Sequence, residues 1–318
     1  MSWFDKLYLS TSKSISFSSK TPIAAKMARP IGYDGGATDP NDEVFACADF
    51  LVTDDSGCVC SLKSSLFEEI KSNQKRGRTI MSGLRSGVIG IAVHPTEPIL
   101  AIAGGEGFVQ LWNYKEPLYP KKENNPINNF ECYDKEDTSK IEGGKYFTAI
   151  EFTPDGREVL VAQYNGEIKI MDSTTGEFLK LNTTPKTSDN KGYPIKQLII
   201  TEDGTYFAVS DINKAVCLFK KEMDPNKASE WKFSGKIVAH EVEVSSISFG
   251  QGLSQLEKKM HRLFSIGKDR RVFEYDVYES TQEKLIVLRH FTIEQEALPS
   301  ACLWLPESKE GLLLTANS

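Results

Sequence analysis

The residue types able to do chemistry in this chain are four single histidines, six cysteines, one glycine-rich run and one carboxylate cluster. Cys58 and Cys60 are the only closely spaced cysteines, and a tetrahedral zinc site needs a second ligand pair that the scattered histidines do not supply. The cysteines sit in apolar runs and read as buried free thiols. The stretch AIAGGEGF (101–108) lacks G-x-G-x-x-G spacing and leads into a strand pattern, so no helix N-terminus is on offer to a phosphate. ECYDKED (131–137) alternates acids without the D-x-D-x-D-G loop and distal Glu of a calcium site, and reads as a solvated loop. His94 precedes Pro95 in a turn, while His261 and His290 flank strands with no Ser or Cys nucleophile motif nearby. A hydrolytic triad would have to be assembled from distant segments. No metal and no cofactor are expected.

That leaves the charged stretch GKDRR (267–271), which is either a catalytic turn or simply a turn; the elements around it decide. Composition sets the frame: 318 residues, 40% hydrophobic and 10% aromatic, suffice for a large core. A net charge of -6 argues against whole-surface nucleic-acid binding, which needs surplus Lys and Arg. The N-terminal MSWFDKLYLSTSKSISFSSK has no apolar core of signal-peptide type, and no run approaches a membrane span. The expected setting is cytoplasmic, without nucleic-acid or membrane partners.

A repeat is visible once GCVCSL (57–62), GFVQLW (107–112), GEIKIM (166–171), KAVCLF (214–219) and RRVFEY (270–275) are aligned. Each is a short alternating strand ending in a large apolar residue: Leu62, Trp112, Met171, Phe219 or Tyr275, at spacings of 50, 59, 48 and 56 residues. Six positions before these ends stand Ser56, Glu106, Asn165, Asn213 and Asp269, residues suited to tight turns. GKDRR is therefore a turn. Upstream of each third strand lies another apolar run, and upstream of four of those a further one, joined by hairpin signals such as TPDG (153–156) and TEDG (201–204). With a polar fourth strand such as SGKIVAH (234–240), the unit is a four-stranded propeller blade. One blade cannot bury both faces alone, so blades must stack. The expected fold is all-β: a WD40-type β-propeller, an incomplete or partner-completed ring of four-stranded blades over residues 44–318, preceded by a strand-like segment at 1–43.

These repeats resemble the WD-repeat family. In the blade around GKDRR, the family's structural tetrad falls on His240 in the loop, Ser265 on the second strand, Asp269 in the turn and Tyr275 on the third strand, with tyrosine replacing the usual tryptophan. The resemblance implies a hydrogen-bond relay from loop to ring, which tyrosine can sustain through its hydroxyl. The phrases HPTEPILAIAGGEGFVQLWNYKE, SIGKDRRVFEYDV and FTIEQEALPSACLWLPESKEGLLL look like the second propeller of a WD-repeat family of cilia- and flagella-associated proteins. That resemblance implies a non-enzymatic scaffold in the motile-cilium axoneme. Its partners would be the radial spoke base, the calmodulin- and spoke-associated complex and the doublet microtubule. A peptide-recognising adaptor of another intracellular complex, and in a different class a propeller hydrolase, stay open. Converging acids and histidines at one mouth of the ring would favour the hydrolase.

Insertions carry the remaining expectations. Residues 115–145 form a link longer than a compact domain needs, a binding loop or a disordered one. SLFEEIKSNQKRGR (65–78) has helix-compatible spacing and ends in Lys71, Lys75, Arg76 and Arg78, a basic contact for an acidic partner or a solvated face. QGLSQLEKKMHR (251–262) places Leu253, Leu256 and Met260 at helical spacing, for packing or docking. The final unit, PSACLWLP (299–306) and GLLLTANS (311–318), supplies two strands of a blade. The remaining strands are expected from LYLSTSKSISFS (7–18) or, the favoured expectation, from a second polypeptide.

Overall fold

The computed structural model describes residues 22–28, 49–54, 59–63, 78–81, 88–104, 108–113, 128–131, 147–179, 192–222, 230–253, 259–294, 296–305 and 312–317. The described residues are strands and their connections, so the all-β expectation holds for them. The chain divides into two compact units, Met1–Glu131 and Cys132–Ser318.

The first unit contains two four-stranded antiparallel sheets. One is ordered β1 (Pro22–Ala28), β2 (Asp49–Asp54), β3 (Val59–Lys63) and β4 (Arg78–Met81). The other is β5 (Val88–Val93), β6 (Ile99–Gly104), β7 (Phe108–Asn113) and β8 (Asn128–Glu131). β1 lies in the segment 1–43 expected to be strand-like, though not in the stretch singled out there, LYLSTSKSISFS (7–18), which is outside the described residues. β8 places a short strand inside the stretch read as a long link, whose other residues are outside the described set.

The second unit repeats the plan. Its sheets are β9 (Phe147–Phe152) to β12 (Phe178–Leu179) through β10 (Glu158–Gln163) and β11 (Ile168–Asp172); β13 (Ile195–Ile200), β14 (Tyr206–Asp211), β15 (Ala215–Glu222) and β16 (Glu230–Val238); then β17 (Val244–Leu253), β18 (Lys259–Gly267), β19 (Arg271–Thr281) and β20 (Lys284–Thr292). A two-stranded sheet of β21 (Pro299–Leu305) and β22 (Leu312–Asn317) follows. Every residue of β10 and β14 is buried. These two second strands are covered on both faces, and they accordingly mix large side chains with alanines such as Ala162 and Ala208 where neighbouring sheets approach.

Three apolar layers bind the four sheets in chain order. Leu160, Ile168 and Ile170 meet Phe207, Phe219 and Trp231; Tyr206, Val216 and Leu218 meet Leu263, Tyr275 and Leu285; Phe264 and Val272 meet Cys302 and Trp304. Each fully buried large side chain contributes about 1.5–3 kcal/mol relative to exposure. One polar tie crosses the first layer, where Glu158 Oε2 accepts from Lys221 Nζ and Trp231 Nε1, each at 3.0 Å.

The hairpin turns follow their sequences. Thr153 and Thr201 donate from Oγ1 to Asp155 and Asp203, at 2.5 and 2.7 Å, and Gly156 and Gly204 take positive φ of 72° and 68°. The turn between second and third strands needs the left-handed region at one position. Gly166 (φ 82°), Lys214 (φ 67°) and Arg270 (φ 60°) occupy it, the last two at the energetic disadvantage of a side chain there.

The helical reading of 251–262 is corrected. Residues up to Leu253 belong to β17 and those from Lys259 to β18, paired Gly252 with Met260 and Leu253 with Lys259. Leu256 lies outside the described residues. Leu253 and Met260 fall here in the arms of a hairpin, because backbone pairing with the adjoining strands extends through them.

Candidate functional site

His240 follows β16, Ser265 sits on β18, Asp269 occupies the turn after β18 and Tyr275 lies on β19. The structure brings all four into one hydrogen-bonded chain. His240 Nδ1 is 3.0 and 3.1 Å from the two carboxylate oxygens of Asp269. His240 Nε2 is 2.7 Å from Ser265 Oγ, which is 2.7 Å from the Tyr275 hydroxyl. The backbone N–H groups of Arg271 and Glu241 also donate to Asp269.

Burial pushes the His240 pKa down, against the opposing pull of Asp269, so the imidazole is neutral and carries one N–H. Asp269 takes that proton as acceptor at Nδ1, leaving Nε2 to accept from Ser265. Ser265 in turn accepts from Tyr275, whose hydroxyl is held protonated by burial. Every donor is thereby matched to an acceptor, and the direction of the chain runs from Tyr275 to Asp269.

Ser, His and Asp in this order have the connectivity of a hydrolytic triad. Access decides against that chemistry: Ser265 is fully buried, as is the His240 side chain, and the serine hydroxyl is engaged on both sides. A nucleophile must reach its substrate. What the arrangement does instead is fasten the loop before β17 to the following turn and, through Ser265, to the core ring of Tyr275.

The other histidines have local partners. His94 Nδ1 accepts from the backbone N–H of Thr96 and Glu97, closing its turn. His261 lies within β18 and contacts Asp203 at 2.7 Å, and His290 lies within β20 with its ring stacked on Phe273; both are in strands instead of flanking them. Burial opposes ionisation of Asp203, but hydrogen bonds from Thr201, Thr205 and His261 outweigh it and hold the carboxyl at about 2. Burial raises the thiols of Cys217 and Cys302 to about 12 and about 11, so neither is a ready nucleophile. Among the described residues no three His, Cys, Asp or Glu groups come together to hold a metal.

Lys71, Lys75 and Arg76 lie outside the described residues, and Arg78 opens β4 with its backbone paired to Ser61. Cys58 and most of ECYDKED are likewise outside them. Sequence reading missed a second electrostatic tie, in which Glu243 accepts from Lys196 and Lys268, both at 2.6 Å, linking β13 to the turn after β18. These two hydrogen bonds, Lys196 foremost, hold Glu243 at about 2. Its signal would have been a lone Glu one residue before β17, visible only once the register was known.

The class defined by these observations is an all-β protein of stacked four-stranded antiparallel sheets, locked at one repeat by a buried polar chain. No protein-family model matches the chain. Along its whole length it is similar to cilia- and flagella-associated protein 251 of Tetrahymena thermophila, 30% identical over 340 residues, which cover 33% of that relative. Proteins of the same name from Chlamydomonas reinhardtii and Mus musculus are 23% and 24% identical over 288 and 235 residues, covering 88% and 74% of this chain. Those matches take in 30% and 16% of the two relatives, so the chain spans a third or less of each of these three relatives.

Proposed function

We propose that the chain is a non-enzymatic WD-type propeller scaffold of the motile-cilium axoneme, helping to anchor the radial spoke base to the doublet microtubule. The observation carrying the ciliary part is the similarity along the full chain to a cilia- and flagella-associated protein. The burial of Ser265 and His240 supports the non-enzymatic part, since the triad-like group is sealed inside the core. The repeated four-stranded sheets, packed in chain order, support the propeller. On this reading His240, Ser265, Asp269 and Tyr275 form the structural tetrad of their blade. The basic residues Lys71, Lys75, Arg76 and Arg78 face an acidic partner such as a tubulin surface.

The test is retention. A tagged chain expressed in ciliated cells is expected to stay with the axoneme after detergent removes the ciliary membrane and soluble matrix. Complete release with the matrix, or absence from cilia, would overturn the reading.

A further inference from the structure

Antiparallel order puts the turn between second and third strands at the same end of a sheet as the link into the next sheet's first strand. In the second unit these segments touch one after another. A Cβ on Gly166 would meet the Tyr193 backbone, the Ile212 N–H donates to the Pro194 carbonyl, Lys214 Nζ to the Glu241 carbonyl and the Lys268 N–H to the Glu243 carbonyl. The result is one continuous rim from Tyr164 to Arg271.

Part of this rim is apolar where turns are ordinarily polar. Three equivalent turns close with N–H bonds from Gly166, Lys214 and Arg270 to the carbonyls three residues earlier, and their first central residues are Tyr164, Ile212 and Lys268. Tyr164 and Ile212 are 50% and 53% exposed. Val238, paired with Ala215 just beyond the Ile212 turn, and Val242, next to the Glu241 carbonyl that receives Lys214, are 51% and 40% exposed. Four of the eleven exposed large hydrophobics among the described residues thus share this rim, whereas scattered single ones would need no explanation. Beyond Val242 the rim turns charged. On the next sheet Lys268 and Thr292 hold the places of Ile212 and Val238. Glu243 there receives two ammonium groups, from Lys196 and Lys268, and Asp269 faces inward to His240. With Lys214 donating to a carbonyl, the outward cations exceed the outward carboxylates.

We propose that this rim is a docking surface for an amphipathic, acidic helix of a partner protein. The apolar stripe of the helix covers Ile212, Val238 and Val242, and its flanking carboxylates reach Lys214 and Lys268. Backbone satisfaction selects a helix over an added strand. The N–H groups of Ile212, Lys214, Glu241, Lys268 and Arg270 all donate within the protein, so recognition falls to side chains and the occupant must satisfy its own backbone. Charge selects the acidic flank, and it disfavours a second copy, which would set Lys214 and Lys268 against their like. The proposal uses none of the basic residues at 71–78 and does not depend on the axonemal reading.

The test uses the purified full chain and two fluorescent synthetic helices of about fifteen residues, stapled because short isolated helices are marginal. One carries a stripe of Leu flanked by Glu; the other has Lys in place of Glu. A net charge of -6 draws the chain as a whole towards the Lys peptide, so a preference for Glu reports the local field of the rim. Anisotropy titrations are expected to show the Glu peptide binding at least about tenfold more tightly. That preference should reverse in the double variant Lys214→Glu, Lys268→Glu and vanish in the corresponding Gln pair, while Ile212→Ser with Val242→Ser weakens both peptides. Unfolding midpoints check every variant, the Gln pair standing in if the Glu pair does not fold, and sedimentation follows self-association. No binding, equal binding, a preference indifferent to Lys214 and Lys268, or a dimer that dissociates in Ile212→Ser would each overturn the proposal. No cilium enters the assay, so its failure is separable from failure of the axonemal reading.

Discussion

The Tyr275 hydroxyl lies 2.7 Å from Ser265 Oγ, which makes an aromatic core residue the first donor of a polar chain ending at Asp269. Removing the hydroxyl alone leaves Ser265 short of a buried donor. Tyr275→Phe is expected to cost about 1–3 kcal/mol, and Tyr275→Ala about 3–5 kcal/mol through lost packing as well. Lys268→Ala, whose amine is half exposed and paired with Glu243, should cost less than about 1 kcal/mol. Denaturant titration of the three variants checks the order; equal midpoints would contradict the burial of the ring.

Protonation of His240 should loosen the same chain. Its folded pKa is depressed below the ordinary value near 6.5, so the unfolded chain binds the proton first and stability is lost as pH falls. The thermal midpoint is expected to be level above about pH 7 and to decline below about pH 6.5, with the decline shallower in His240→Gln. Asp203 and Glu243, both held at about 2, add a separate loss as pH falls below their unfolded values near 4. A midpoint unchanged from pH 7.5 to 5.5 in the wild type would contradict the neutral imidazole.

The left-handed turn position gives an opposite pair of outcomes. Lys214→Gly and Arg270→Gly should each stabilise by about 0.5–1 kcal/mol, the strain relieved less the added freedom of the unfolded chain. Gly166→Ala should destabilise by more than about 1 kcal/mol, because a Cβ would stand 2.8 Å from the backbone N and O of Tyr193. Chemical denaturation at constant m-value distinguishes the two signs.

The contact between β17 and β21 is tight at one glycine. A Cβ on Gly250 would approach the Trp304 ring to 2.6 Å, so Gly250→Ala should cost about 1–3 kcal/mol and change the tryptophan emission. An unchanged spectrum and midpoint would show that Trp304 does not sit there.

Repetition made the third strands and their turns legible, because a turn residue, a strand and a large apolar end recur together. His240 and Tyr275 could be aligned for the same reason, each lying at a fixed place in the repeat. Register was not legible. Whether Leu253 and Met260 continued a strand or began a helix depended on pairing partners that helical spacing cannot report. β1 was not singled out because PIAAKMA carries alanines where the other strands carry branched residues, so its alternation is faint. Glu274 and Glu158 were invisible as buried groups, since a carboxylate among apolar residues declares its cationic partners only in three dimensions.

The axonemal scaffold is tested most directly by cosedimentation of the purified chain with salt-washed doublet microtubules. Pelleting is expected at low ionic strength and should weaken as salt rises. Charge reversal at Lys71, Lys75, Arg76 and Arg78 should weaken it by about tenfold or more without moving the unfolding midpoint. A chain that never pellets, or one whose pelleting ignores both salt and the reversed charges, would contradict the axonemal scaffold.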